Sequence, residues 1–193
     1  MDAFDQALTS TERQLMAELT TPTRIQAFLD GLVYSSDEFY RCPVRVLRDR
    51  IGHCFDGALF AAAALRRIGY LPRILNMLPN GRDDDHILAL FKADGHWGAV
   101  AKSNFVGLRY REPIYRNLRE LVMSYFEPYY NAAREKTLVG YARPLSLAGF
   151  DRHHWMIRDE PLDLIAQRLD ELPRVMIISP AMAARLSPVD ERS

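Results

Sequence analysis

A cysteine opening a buried helix and a histidine opening a later strand are a nucleophile and a base for acyl chemistry, and this chain carries that pair as Cys54 and His86. A thiol attacks a carbonyl as the thiolate. A helix N-terminus favours that form, because its free N–H groups and the helix dipole favour negative charge. A neighbouring imidazole can hold the thiolate as an ion pair and later return the proton to a leaving group, while the Cys54 backbone N–H helps bind the oxyanion. Of the two cysteines, Cys42 precedes Pro43 with no such context and reads as a structural, buried thiol.

The elements that must position this pair are legible as patterns. The stretch from Gly52 to Gly69 reads as a helix apolar nearly all round, which marks it as buried, with Cys54 in its first turn and Arg66, Arg67 and Gly69 as its basic last turn and glycine stop. Pro72 to Leu78 reads as a strand, Pro79-Asn80-Gly81 as a turn, and Ile87 to Phe91 as a strand beginning just past His86. Asp94-Gly95 is a two-residue hairpin signal, with Trp97 to Phe105 as the returning strand. Helices are expected from Ser10 to about Leu19, from Thr21-Pro22 onward, over Pro43 to Asp49, over Tyr115 to Phe126 and over Pro161 to Leu172. Lys136 to Leu147 reads as one more strand, and the last ten residues as loose.

The stretch Gly52-His53-Cys54-Phe55-Asp56-Gly57-Ala58, followed by Leu65-Arg66-Arg67-Ile68-Gly69, resembles the transglutaminase-like superfamily of papain-like cysteine enzymes. There a Gly-x-Cys-x-(Asp/Asn)-x-Ala motif opens the core helix, a catalytic His begins a strand some thirty residues on, and a Trp on the next strand precedes an Asp. His86 and Trp97 fit that order. The resemblance covers about residues 44–105, roughly a third of the chain. It implies an α+β fold with the Cys-bearing helix packed on a small antiparallel sheet; with no repeat, low-complexity tract or linker to divide it, the chain reads as a single domain over 1–193 with helical flanks at 10–33 and 115–172. It departs from the family at the acid, because the position four beyond Trp97 is Ala101, followed by Lys102, Ser103 and Asn104. If Ala93 faces His96 across the hairpin, counting outward sets His86 opposite Ser103, with Asn104 one step on. An Asn orients the imidazole in papain-like enzymes, so the resemblance makes Asn104 the expected third residue, with Ser103 the reserve and a degenerate, inactive triad the alternative.

Other constellations compete. Cys54, His86 and an acid from Asp83-Asp84-Asp85 could make three zinc ligands, yet no Cys-x-x-Cys or His-x-x-x-His spacing supports a metal. That acidic run also reads as a solvated loop, and His96 as a surface residue. His153 and His154 are adjacent and point apart on an extended segment. Arg109-Tyr110-Arg111-Glu112-Pro113 reads as a charged turn rather than an anion grip, and Tyr125, Phe126, Tyr129 and Tyr130 as core. Lys plus Arg (25) equals Asp plus Glu (25), which argues against a nucleic-acid or anionic-membrane partner. No apolar run nears the ~20 residues that span a bilayer, and no Gly-x-Gly-x-x-Gly or phosphate loop calls for an organic cofactor. With two cysteines and a first twenty residues unlike a signal peptide, the expected setting is the cytoplasm. The expected function is cysteine-dependent acyl transfer or amide hydrolysis on a peptide or small amide, or else a binding or scaffold module that has lost the chemistry.

Overall fold

A computed structural model describes residues 3–190. Three helices lead, α1 (Ala3–Ala7), α2 (Ser10–Glu18) and α3 (Pro22–Asp30), the second closed by a capping box between Thr9 and Glu12 and the third opened by Pro22 behind Thr21. Then come β1 (Val33–Tyr34), α4 (Pro43–Asp49), β2 (Ile51–Gly52) and the Cys54 helix α5 (Cys54–Arg67), with β1 and β2 paired in parallel. The main sheet follows: β3 (Arg73–Pro79), β4 (His86–Ala93), β5 (His96–Val100) and β6 (Arg111–Tyr115). Next are α6 (Leu118–Met123), β7 (Leu138–Ala142), β8 (Leu145–Ser146), α7 (Leu162–Asp170), β9 (Arg174–Met176) and α8 (Pro180–Ala183). Its strands run β6-β5-β4-β3-β7-β9, every pairing antiparallel, with β8 also against β3.

The fold is thus α+β, with the Cys-bearing helix packed on an antiparallel sheet and helices on its flanks. The alternation of strand side chains divides the core in two. Ile74, Ile87, Ala89, Phe91 and Val100 face the side covered by α5, whose Phe55 to Leu65 are buried throughout. Leu75, Met77, Leu88, Leu90 and Ala99 face the other side, under α6 and the aromatic residues Tyr125, Phe126 and Tyr129. Those three aromatics are core, as expected, whereas Tyr130 is only half-buried and stands outside it.

The hairpin forms in the expected register, Ala93 opposite His96, with Asp94 and Gly95 both at positive φ (48° and 79°) as a tight two-residue turn requires. The returning strand, expected to reach Phe105, stops at Val100. The reason is a side-chain competitor: Gln26 of α3 donates to the Ala101 carbonyl (2.9 Å) and accepts from its N–H (3.0 Å), taking both backbone groups out of the ladder. Lys102 then turns inward and donates to the carbonyls of Leu29 (3.0 Å) and Leu32 (2.5 Å) at the end of α3. Two further differences come from edge strands. Arg111 to Tyr115 is a strand rather than part of a turn and a helix, and Pro113 is tolerated there because β6 is the sheet's edge; β9 closes the other edge. Of the last ten residues, 191–193 lie outside the described residues, and Val189 donates to the Arg134 carbonyl at 2.9 Å.

Lys102 lies so close to α5 that a Cβ at Gly57 would collide with its Cβ. Gly57→Ala should therefore destabilise the fold by about 1–3 kcal/mol, the range for overpacking a tight contact, although alanine is the better helix former. Urea unfolding of both proteins tests this, and an unchanged or higher midpoint would contradict the close packing.

Candidate active site

The first turn of α5 is fixed by a buried ionic network. His53 is the N-cap, its Nδ1 accepting from the N–H groups of Phe55 (3.2 Å) and Asp56 (3.3 Å), while the Asp56 carboxylate reaches back to the His53 N–H (3.3 Å). Asp56 is fully buried and also accepts from the Arg41 N–H at 2.8 Å, with the Arg41 guanidinium 3.8 Å away. Arg41 in turn pairs with Asp37 and donates to the Ser35 hydroxyl (3.0 Å), tying the 35–41 loop to the helix start. The β1–β2 pair sets Tyr34 beside Gly52, two residues before Cys54.

These elements enclose a cleft of about 750 Å³ whose lining includes Tyr34, Tyr40, His53, Cys54, Asn76, Asp84, Asp85, Asn104 and Asp170. Cys54 is half-buried, and its Sγ donates weakly to the Asp85 carbonyl at 3.7 Å. The N–H groups of Ile87 and Phe55 and the Tyr34 hydroxyl also approach the sulfur, and each favours the thiolate. Desolvation outweighs them and pushes the thiol up to about 11, so it is protonated near neutrality. Asn76 and Asp85 form the cleft's polar floor, the Asn76 amide donating to the Asp85 carboxylate at 2.5 Å. Burial raises the Asp85 carboxyl above its ordinary value, and the Asn76 bond opposes that rise. Asn76 Oδ1 is buried and has no hydrogen-bond partner among the described residues, a condition that costs a folded protein about 1–3 kcal/mol.

His86 is the residue that sequence reasoning misplaces. It pairs with Met77, and both project to the side of the sheet opposite Cys54, while Ile87 faces the helix. The ring is buried there, with Nε2 2.8 Å from the Leu108 carbonyl, so that nitrogen carries the proton and donates. Burial lowers its pKa to about 4, leaving a neutral imidazole with no contact to the thiol. Cys54 and His86 are therefore not brought together. Asn104 does line the cleft, exposed at its rim, whereas Ser103 is buried and its hydroxyl accepts from the Phe105 N–H at 3.0 Å. Early termination of β5 explains both placements, because the outward count that aligned His86 with Ser103 needed a strand that continued. His53 is the histidine that borders the cleft; burial lowers its pKa, and its Nδ1 is occupied as a helix cap. Cys42 is buried in the core and forms no disulfide, in keeping with a structural thiol.

Two cleft residues, Tyr34 and Asn76, went unread in the sequence, and Asp85 was read only as part of the acidic run. Asn76 offered a signal, as the one polar side chain inside the apolar run from Ile74 to Leu78. Among the described residues no group of three His, Cys, Asp or Glu is arranged to hold a metal ion. Nor is any helix of the described residues long and apolar enough to cross a membrane.

No family model matches the chain. No curated protein matches it either. Among solved structures, Legionella pneumophila LapG is 15% identical over 85% of this chain and 92% of its own, with a TM-score of 0.46. Its calcium-bound form is 14% identical over 69% of this chain and 73% of its own, at a TM-score of 0.43. A candidate cysteine protease from Cytophaga hutchinsonii is 15% identical over 51% of this chain and 41% of its own, at a TM-score of 0.37. Likenesses this distant transfer no residue's role to this chain.

The buried His86 predicts a pH effect. Its proton affinity is lower folded than unfolded, so the unfolded chain binds the extra proton. Its contribution is complete above the ordinary imidazole value of about 6.5 and is lost as pH falls toward about 4. That interval corresponds to roughly 3 kcal/mol at full effect. His86→Gln, which keeps a donor for the Leu108 carbonyl, should lose that much less stability between pH 7 and pH 4 than the parent, as read by urea unfolding at each pH. Parallel losses in the two proteins would contradict a buried neutral ring.

Proposed function

We propose that this chain is a ligand-binding module on a papain-like, transglutaminase-like framework, with Cys54 as a cleft residue that has no catalytic imidazole. One observation carries the reading: the His86 ring projects to the far face of the sheet and donates to the Leu108 carbonyl, away from the thiol. Without a base the thiol stays protonated at neutral pH, and a thiol is a poor nucleophile. The cleft is still large enough for a small molecule or a short peptide segment, which includes the expected peptide or small amide. A reducing cytoplasm suits two cysteines that form no bridge.

A second reading, cysteine-dependent acyl transfer or amide hydrolysis, is favoured by the cleft opening onto Cys54 at a helix N-terminus. In it Cys54 passes its thiol proton to His86 and Sγ bonds to the amide carbonyl carbon. The C–N bond breaks as the departing amine takes that proton, with Asn104 holding the ring, and water or a second amine then cleaves the thioester and returns a proton to Sγ. That geometry requires β4 to slip by one residue, since only a slip moves His86 to the face that Ile87 now occupies.

The rate of alkylation of Cys54 by iodoacetamide as a function of pH separates the two, with buried Cys42 as internal reference. The binding-module reading predicts a thiol titrating above the ~8.5 of free cysteine and a profile indifferent to His86→Gln. A midpoint well below that value, moved upward by the substitution, would establish the ion pair and the enzyme in its place.

A further inference from the structure

The charge of the cleft narrows what it can hold. Asp37, Asp84, Asp85 and Asp170 line it, and of these Asp37 is taken up by Arg41. Asp84 and Asp170 have no ion-pair partner among the described residues. Facing them, the possible cations are few. Arg41 is spent on Asp37 and Asp56, Arg174 at the start of β9 partly offsets Asp85, and His53 is neutral, its Nδ1 serving as the helix cap. An anionic ligand would meet these carboxylates with little beyond Arg174 to offset them.

The second observation is independent of charge. Asn76 is 2% exposed and projects to the Cys54 side of the sheet, its amide nitrogen committed to Asp85 and its Oδ1 left as an acceptor without a donor. A group that brings several N–H donors and a positive charge would satisfy this oxygen and the carboxylates together. Tyr34 and Tyr40 add aromatic faces of the kind that attract a cation.

Building on the reading of this cleft as a binding site, we propose that it takes a cationic nitrogen group, an ammonium or a guanidinium, seated between Asn76, Asp85 and Asp170. A lysine or arginine side chain of a peptide and a free polyamine share this chemistry.

The test uses the full chain, with binding followed through backbone amide NMR shifts and calorimetry. The probes are Nα-acetyl-lysine methylamide, its uncharged counterpart Nα-acetyl-norleucine methylamide, the acidic Nα-acetyl-glutamate methylamide, and cadaverine. The lysine probe or cadaverine should shift the amides of Asn76 and Asp85 and bind at least tenfold more tightly than the norleucine probe, and binding should weaken as salt rises. The tighter of the two cationic probes identifies the source as peptide side chain or free amine. Asp85→Asn and Asp170→Asn should each weaken binding by about tenfold; Asp170 is exposed on α7, so its variant keeps the fold even if the other does not. Equal binding of the norleucine or glutamate probe, no binding by any probe, or indifference to both substitutions would overturn the proposal. The absence of a thiolate is tested separately by the Cys54 titration, so a cleft that prefers neutral or acidic probes would end this inference and leave the other reading standing.

Discussion

Strand β4 enters the sheet at His86, and from there the pleat sends successive side chains to opposite faces. The Asp85 carbonyl and the Ile87 N–H approach the Cys54 sulfur, and the Ile87 side chain packs on the face covered by α5, so His86, its neighbour on the strand, must face the other way. This alternation cannot be relaxed locally. Moving His86 across would carry Leu88 and Leu90 out of one core and Ile87, Ala89 and Phe91 out of the other. The chemical character of the cleft, a protonated thiol over an amide and a carboxylate, is thus set by the hydrophobic pattern of one strand.

Around that strand, the remaining structure holds the Cys54 helix in place by polar contacts made in apolar surroundings. Asp56, wholly buried, joins the helix start to the Arg41 loop, and breaking such a pair costs far more than forming it returns. Gln26 and Lys102 do the equivalent work at the other side of α5, where they fasten α3 to the chain leaving β5. Burial lowers the Lys102 pKa, and two carbonyl acceptors compensate the ammonium that remains. The same captured segment delivers Asn104 to the rim of the cleft and buries Ser103.

Most of the fold is legible in the sequence, because it rests on local signals. The apolar run of α5 with its basic end, the Asp94-Gly95 turn and the Thr21-Pro22 helix start each have one physical meaning, and the structure shows each in its place. The site is less legible. An apolar run such as Ile87 to Phe91 is buried on both faces, so it does not say which face receives its first residue, and the Cys-then-His order alone could not decide that of His86. The end of β5 was hidden for a different reason: its competitor, Gln26, comes from a distant part of the chain. Tyr34 and Asp85 sit in the cleft through backbone placement, by a two-residue parallel pair and by a loop, and neither leaves a periodic trace.

The account turns on the separation of His86 from Cys54. An NMR titration of the His86 ring in the parent protein and in Cys54→Ser measures it most directly. An imidazole with a pKa near 4, protonated on Nε2 when neutral and unmoved by the substitution, is the result that two opposite faces of one strand require. A ring titrating above about 6.5 that shifts when the thiol is removed would place the two side chains together and contradict the account.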